Sequence, residues 1–168
     1  YSFAQLLAKA HAYGQLIPEG TERVLIFSEN RPEWIHAFYG GWNKGCTVVP
    51  VDFQATAEEV TFIARDCRPQ VFFCSQERKP VIEAVLAGLD YAPQLLVFEE
   101  LSPVEHQESE PIAAANLQAT ALLIYTSGTT GTPKGVMLSF ANLLANVEAV
   151  TIGVPIYAPE ERVLMLLP

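Results

Sequence analysis

An α/β fold, with a mainly parallel sheet and helices on both faces, is predicted by three observations on this chain of 168 residues. Short uninterrupted apolar runs, such as residues 24–27 and 71–74, read as strands covered on both sides, because a strand with one wet face would alternate instead. Between them lie segments whose apolar residues recur at helical spacing and which open on capping residues. The two kinds of segment alternate as β-α-β-α-β-α-β across residues 24–98, the order of a parallel sheet joined by right-handed crossovers.

Ser2 and Gln5 make a capping-box pair ahead of Phe3, Leu6, Leu7 and Ala10, so the chain opens on a helix that Gly14 can terminate. After the strand at 24–27, Asn30 and Glu33 offer a second capping box, with Pro32 in the first turn. Trp34, Phe38 and Trp42 follow at i, i+4 and i+8, a stripe that reads as core and not as a substrate shelf; Lys44 and Gly45 close the helix. Residues 46–51 are the next apolar run. Thr56 and Glu59 cap a helix carrying Val60, Ile63, Ala64 and Cys67, and Pro69 stops it. The strand at 71–74, a short helix at 80–86 ended by Gly88, and a strand at 94–98 complete the alternation.

Residues 99–116 contain Ser102, Pro103, Ser109 and Pro111 and lack periodicity, so they read as a linker. The chain then divides into an α/β front half at 1–98, an acidic loop at 99–117 and a second unit at 118–168. Glu99, Glu100, Glu105, Glu108 and Glu110 lie in that loop with no Lys or Arg among them and read as a solvated face. A net charge of −9 argues against non-specific nucleic-acid binding, which needs clustered bases. Cys46, Cys67 and Cys74 are odd in number and lack Cys-x-x-Cys spacing, which disfavours zinc and a disulfide framework and suits buried thiols in a reducing, cytoplasmic setting. No apolar run approaches the ~18 residues of a membrane span. His11, His36 and His106 form no metal-ligand pair, and no Gly-x-Ser-x-Gly elbow occurs, so a zinc site or hydrolase triad has little support. The chain lacks an initiating Met and stops directly after the apolar run at 163–167, so it reads as a piece of a longer polypeptide.

Residues 125–135, Tyr-Thr-Ser-Gly-Thr-Thr-Gly-Thr-Pro-Lys-Gly, carry chemistry that packing does not explain. Gly128 and Gly131 let the backbone turn with positive φ and present its N–H groups to a ligand, an anion-binding nest. Thr126, Ser127, Thr129 and Thr130 add hydroxyl donors, and Lys134 adds a compact positive charge suited to a phosphate oxygen. A Walker A loop would end in Gly-Lys-Ser/Thr and enter a helix at once. Here Pro133 precedes Lys134, Gly135 follows, and residues 136–138 read as a strand with the next helix starting at Ser139. The loop therefore joins two strands, 121–125 and 136–138, and amides would hold the anion. A helix with Leu143, Val147 and Val150 follows, ended by Gly153 and Pro155.

Over all eleven positions this stretch resembles the phosphate-binding signature of the adenylate-forming (AMP-binding) superfamily, which includes acyl-CoA synthetases, luciferases and peptide-synthetase adenylation domains. Glu-Asn-Arg-Pro-Glu-Trp from Glu29, Lys-Gly-Cys-Thr-Val-Val-Pro-Val-Asp from Lys44, Ala-Glu-Glu-Val from Ala57 and Arg-Pro-Gln-Val-Phe-Phe from Arg68 are similar to the N-terminal region of the same enzymes. The resemblance implies part of the large N-terminal domain of an ATP-dependent carboxylate–CoA ligase, with Thr126, Ser127, Gly128, Thr129, Thr130, Gly131 and Lys134 binding the ATP phosphates. It implies ATP, Mg²⁺ and coenzyme A as cofactors, the last two bound mainly elsewhere, and a small carboxylate as substrate. The wording Gly-Val-Met-Leu-Ser leans towards long-chain fatty-acid substrates and admits peripheral membrane contact, with no membrane span. The family often carries a His two residues past Leu138, where this chain has Phe140. Rival readings are a nucleotide-dependent kinase, a non-catalytic nucleotide-binding module and a peptide-synthetase adenylation domain.

Overall fold

The computed structural model describes residues 2–102, 116–126 and 133–153. Strand β1 (Arg23–Phe27) pairs in parallel with β2 (Thr47–Val51) on one side and with β3 (Val71–Cys74) on the other. Strand β4 (Gln94–Val97) lies beyond β3, and β5 (Thr120–Thr126) pairs in parallel with β2. Strand β6 (Lys134–Ser139) returns antiparallel to β5, which gives the order β4-β3-β1-β2-β5-β6.

Both faces of the sheet are buried because successive strand side chains point to opposite sides. Val24, Ile26, Val48, Val71 and Phe73 meet Tyr13 of α1 (Phe3–Gln15) and Ala37 of α2 (Pro32–Asn43). Leu25, Phe27, Val49, Phe72 and Cys74 point the other way, against Val60 and Ile63 of α3 (Ala57–Cys67) and Ile82 and Val85 of α4 (Lys79–Ala87). Placing α2 on one face and α3 and α4 on the other lets right-handed connections carry the chain outward from β1 in both directions. The stretches on either side of the acidic segment thus share one sheet.

The capping boxes at Ser2–Gln5 and Thr56–Glu59 form as expected. Three local expectations are corrected. Helix α1 runs through Gly14 to Gln15, because Gly14 serves packing: a Cβ there would stand 3.0 Å from the Gly40 carbonyl oxygen of α2. Asn30 and Glu33 form no capping box; Arg31 is the N-cap residue, and Glu33 instead accepts a hydrogen bond from Arg31 Nε at 2.9 Å. Strand β4 ends at Val97, and Phe98–Glu100 is a 3₁₀ turn.

That turn also alters the reading of the acidic run. Glu99 accepts from Arg31 Nη1 at 2.5 Å and from the Gln76 amide at 2.8 Å, while Glu100 accepts from Lys79 Nζ at 2.6 Å. These two acids are paired, whereas Glu105, Glu108, Glu110 and His106 lie outside the described residues. The aromatic stripe of α2 is core, with Trp34, Phe38 and Trp42 half-buried against the first face. Trp42 also reaches residues that follow the acidic segment: its Nε1 donates to the Ala121 carbonyl at 2.8 Å and its ring meets Phe140 at 5.3 Å. Cys46, Cys67 and Cys74 are free and buried; burial pushes their thiols up to about 11, about 11 and about 12. Among the described residues no helix is long and apolar enough to cross a membrane.

Candidate functional site

The strands flanking the Gly- and Thr-rich loop are longer than their apolar runs. Thr126 is the last residue of β5 and Lys134 the first of β6, and the two stand opposite each other in the antiparallel ladder. Paired Cα atoms in such a ladder lie about 4.5–5.5 Å apart, so the connection at 127–133 leaves and re-enters the sheet at nearly one point. Thr126 and Lys134 are both exposed there. The structure therefore brings these two predicted site residues together at the neck of the loop; Ser127, Gly128, Thr129, Thr130 and Gly131 lie outside the described residues. Lys134 and Gly135, read from sequence as loop, are strand residues, because the ladder continues to Thr126↔Lys134.

Gly135 has a packing role that the motif alone does not reveal. Across the ladder it faces Tyr125, and a Cβ on it would stand 3.0 Å from Leu123 Cδ1 and 3.2 Å from Tyr125 Cζ. The phenol of Tyr125 in turn donates to Asp66 Oδ2 at 2.5 Å, which ties the end of β5 to α3. At the far end of β6, Ser139 is the N-cap of α5 (Phe140–Gly153): Asn142 N–H donates to Ser139 Oγ at 3.2 Å and the Ser139 amide donates to Asn142 Oδ1 at 3.0 Å. The predicted helix start is therefore met by a reciprocal cap. The Phe140 ring that follows packs on Trp42.

Because β5 runs parallel to β2, and β2 to β1 and β3, the loop emerges on the same sheet edge as the ends of β1, β2 and β3. In open α/β sheets this carboxyl edge is where ligands bind, above all at the crevice where the chain's winding reverses. Here that crevice lies between β1 and β3, and it is closed by polar side chains. Ser75 Oγ donates to Glu29 Oε2 at 2.7 Å, and Arg31 binds Glu29, Glu33 and Glu99 together. Burial raises the Glu99 carboxyl, but its hydrogen bonds from Arg31 and the Gln76 amide outweigh that and hold it below the usual range. Among the described residues, the neck at Thr126 and Lys134 presents an exposed cationic and hydroxylic feature of the predicted kind at this edge. Its donors suit an anion. Among the described residues no group of three or more His, Cys, Asp or Glu side chains could hold a metal ion.

The sequence profile of the AMP-binding enzyme family matches residues 1–168. The chain belongs to the AMP-binding enzyme family. A 2-succinylbenzoate–CoA ligase of Enterococcus faecalis is 30% identical over 134 residues, covering 80% of this chain and 26% of that ligase. The nonribosomal peptide synthetase acrB of Aspergillus aculeatus is 27% identical over 148 residues, covering 87% of this chain and 9% of the synthetase. The crystal structure of the anthranilate CoA ligase AuaEII in complex with anthranoyl-AMP is similar with a TM-score of 0.75 at 26% identity, over 87% of this chain and 30% of that one. This AMP-binding family chain therefore spans well under half the length of the relatives it matches. Its α/β architecture with a mostly parallel sheet matches the N-terminal domain of adenylate-forming enzymes, as the sequence alternation predicts.

Proposed function

We propose that residues 126–135 hold the phosphates of ATP in a ligase that activates a carboxylate as its acyl-adenylate and transfers the acyl group to coenzyme A. The observation that carries this reading is the Thr126–Lys134 pair, which closes a Gly- and Thr-rich turn at the carboxyl end of β5. A carboxylate is a poor electrophile. Attack of its oxygen on the α-phosphate expels pyrophosphate, and the charge gathering on that leaving group must be met by donors already in place. Thr126, Ser127, Gly128, Thr129, Thr130 and Gly131 supply amides and hydroxyls, and Lys134 supplies the charge. A thiol then displaces AMP to give the thioester. In this reading residues 118–168 are the phosphate-binding unit, Mg²⁺ and coenzyme A are held elsewhere, and the carboxylate is a fatty acid. Free buried thiols suit a reducing cytoplasm.

The peptide-synthetase relative supports a second reading, in which the acceptor is a carrier protein. Supplying coenzyme A or such a carrier after adenylate formation separates the two by which thioester appears. The phosphate role itself is tested by Lys134→Ala in the polypeptide carried to the relatives' full length. Losing one charge-assisted hydrogen bond should lower turnover roughly ten- to a hundred-fold, with the carboxylate KM little changed. Unchanged turnover with a raised carboxylate KM would sink the assignment.

A further inference from the structure

We propose that Tyr125 and Asp66 form a clasp that positions the phosphate-binding loop; this inference rests on the reading of residues 126–135 as that loop. Tyr125 directly precedes Thr126, and its hydroxyl donates to Asp66 Oδ2 at 2.5 Å across 59 residues of sequence. Asp66 is an exposed residue in the last turn of α3, where the helix dipole disfavours a carboxylate and a nearby donor offsets that cost. The phenol provides one. Burial, reinforced by the bond to Asp66, pushes the Tyr125 hydroxyl above its usual range, which keeps it protonated and donating.

The platform behind the clasp is fixed. Val60 and Ala64 of α3 are fully buried, Tyr91 Oη donates to the Ala64 carbonyl at 3.0 Å, and Arg65 Nη2 donates to the Gly88 carbonyl at 2.9 Å. On its other side the Tyr125 ring fills the space left by Gly135, where a Cβ would stand 3.2 and 3.3 Å from ring carbons. One side chain thus touches β6 and α3 together, in the ladder position next to Thr126↔Lys134. A shift of that ring would bear on Thr126 and Lys134, the paired residues next to it in the ladder. A Gly at 135 and an acceptor at 66 are what hold it upright. Tyr125 and Asp66 are therefore positioning residues, acting on phosphate through Thr126 and Lys134.

The test uses the polypeptide at the relatives' full length and carboxylate-dependent ATP–pyrophosphate exchange. Tyr125→Phe keeps the ring over Gly135 and removes only the hydroxyl; it should raise the ATP KM or lower exchange about tenfold while the carboxylate KM stays within about twofold. Asp66→Ala should match it, the double variant should be no worse than either single one, and Asp66→Asn, whose amide oxygen still accepts the phenol, should recover most of the loss. Wild-type exchange with Tyr125→Phe indistinguishable from it, or with ATP and carboxylate affected alike, overturns the clasp and leaves the phosphate reading standing. Absence of exchange in the wild type overturns the phosphate reading and the clasp with it.

Discussion

Gly40 and Gly41 sit in the last turn of α2, still inside the helix, where helix propensity alone disfavours them. Their neighbours explain the choice. A Cβ on Gly40 would stand 2.8 Å from the Ala10 carbonyl oxygen and 2.9 Å from the Gly14 amide nitrogen, both backbone atoms of α1 that cannot swing aside. On Gly41 it would meet Val24 and Val48 methyls at 2.8 and 2.9 Å. The two helices therefore approach as closely as backbone allows at Gly14 and Gly40. Gly40→Ala should destabilise the fold on the order of 1–3 kcal/mol in spite of its gain in helix propensity, because α1 must move away. Denaturant midpoints read this directly, and a variant as stable as the parent would show that the helices separate at little cost.

At the level of elements, the Arg31 cluster joins the ends of β1, β3 and β4 to the start of α2. Glu33 and Glu99 are each raised by burial and lowered further by Arg31 hydrogen bonds, with both held below the usual range on balance. A carboxyl whose folded pKa is depressed stabilises the fold above its unfolded value and loses that contribution as pH falls through the folded value. Stability should therefore decline on acidification from roughly pH 5 downward, where unfolded glutamates take up protons first. Arg31→Met should be less stable near neutrality and show a flatter decline across the same window. Urea denaturation at stepped pH checks the slope; equal slopes for parent and variant would remove Arg31 as the source.

For the molecule as a whole, the two sides of the sheet are finished unequally. The β1–β3 centre is covered on both faces, but Val136 (44% exposed), Met137 (71%), Leu144 (48%), Val147 (55%) and Ile152 (80%) leave an apolar surface along β6 and α5. An exposed, apolar edge strand is a template for pairing with another chain. The 168-residue chain by itself is expected to self-associate as its concentration rises, and the pair Met137→Lys and Val147→Lys should reduce this. Sedimentation velocity over a concentration series decides the matter. A monomer throughout would mean that the edge is protected by its twist and its lysine.

What the sequence determined by itself was whatever lies within a few residues of itself: the alternation of buried strands and capped helices, the core stripe of Trp34, Phe38 and Trp42, and the hydroxyl, glycine and lysine content of the loop. Those signals are local, set by side-chain period and backbone freedom, so a short window carries them. The sequence reading fails where other partners outbid the expected caps. Arg31 drew Glu33 away from the helix cap, and Gly14 was claimed by Gly40 and not by a helix end. Only the tertiary structure decided the strand order, the closure of the β1–β3 crevice by Glu29 and Ser75, and the bond from Tyr125 to Asp66. Each of these joins residues far apart in the chain, and which of many chemically equivalent partners meet is set by how the sheet is wound, a property that no window of one sequence contains.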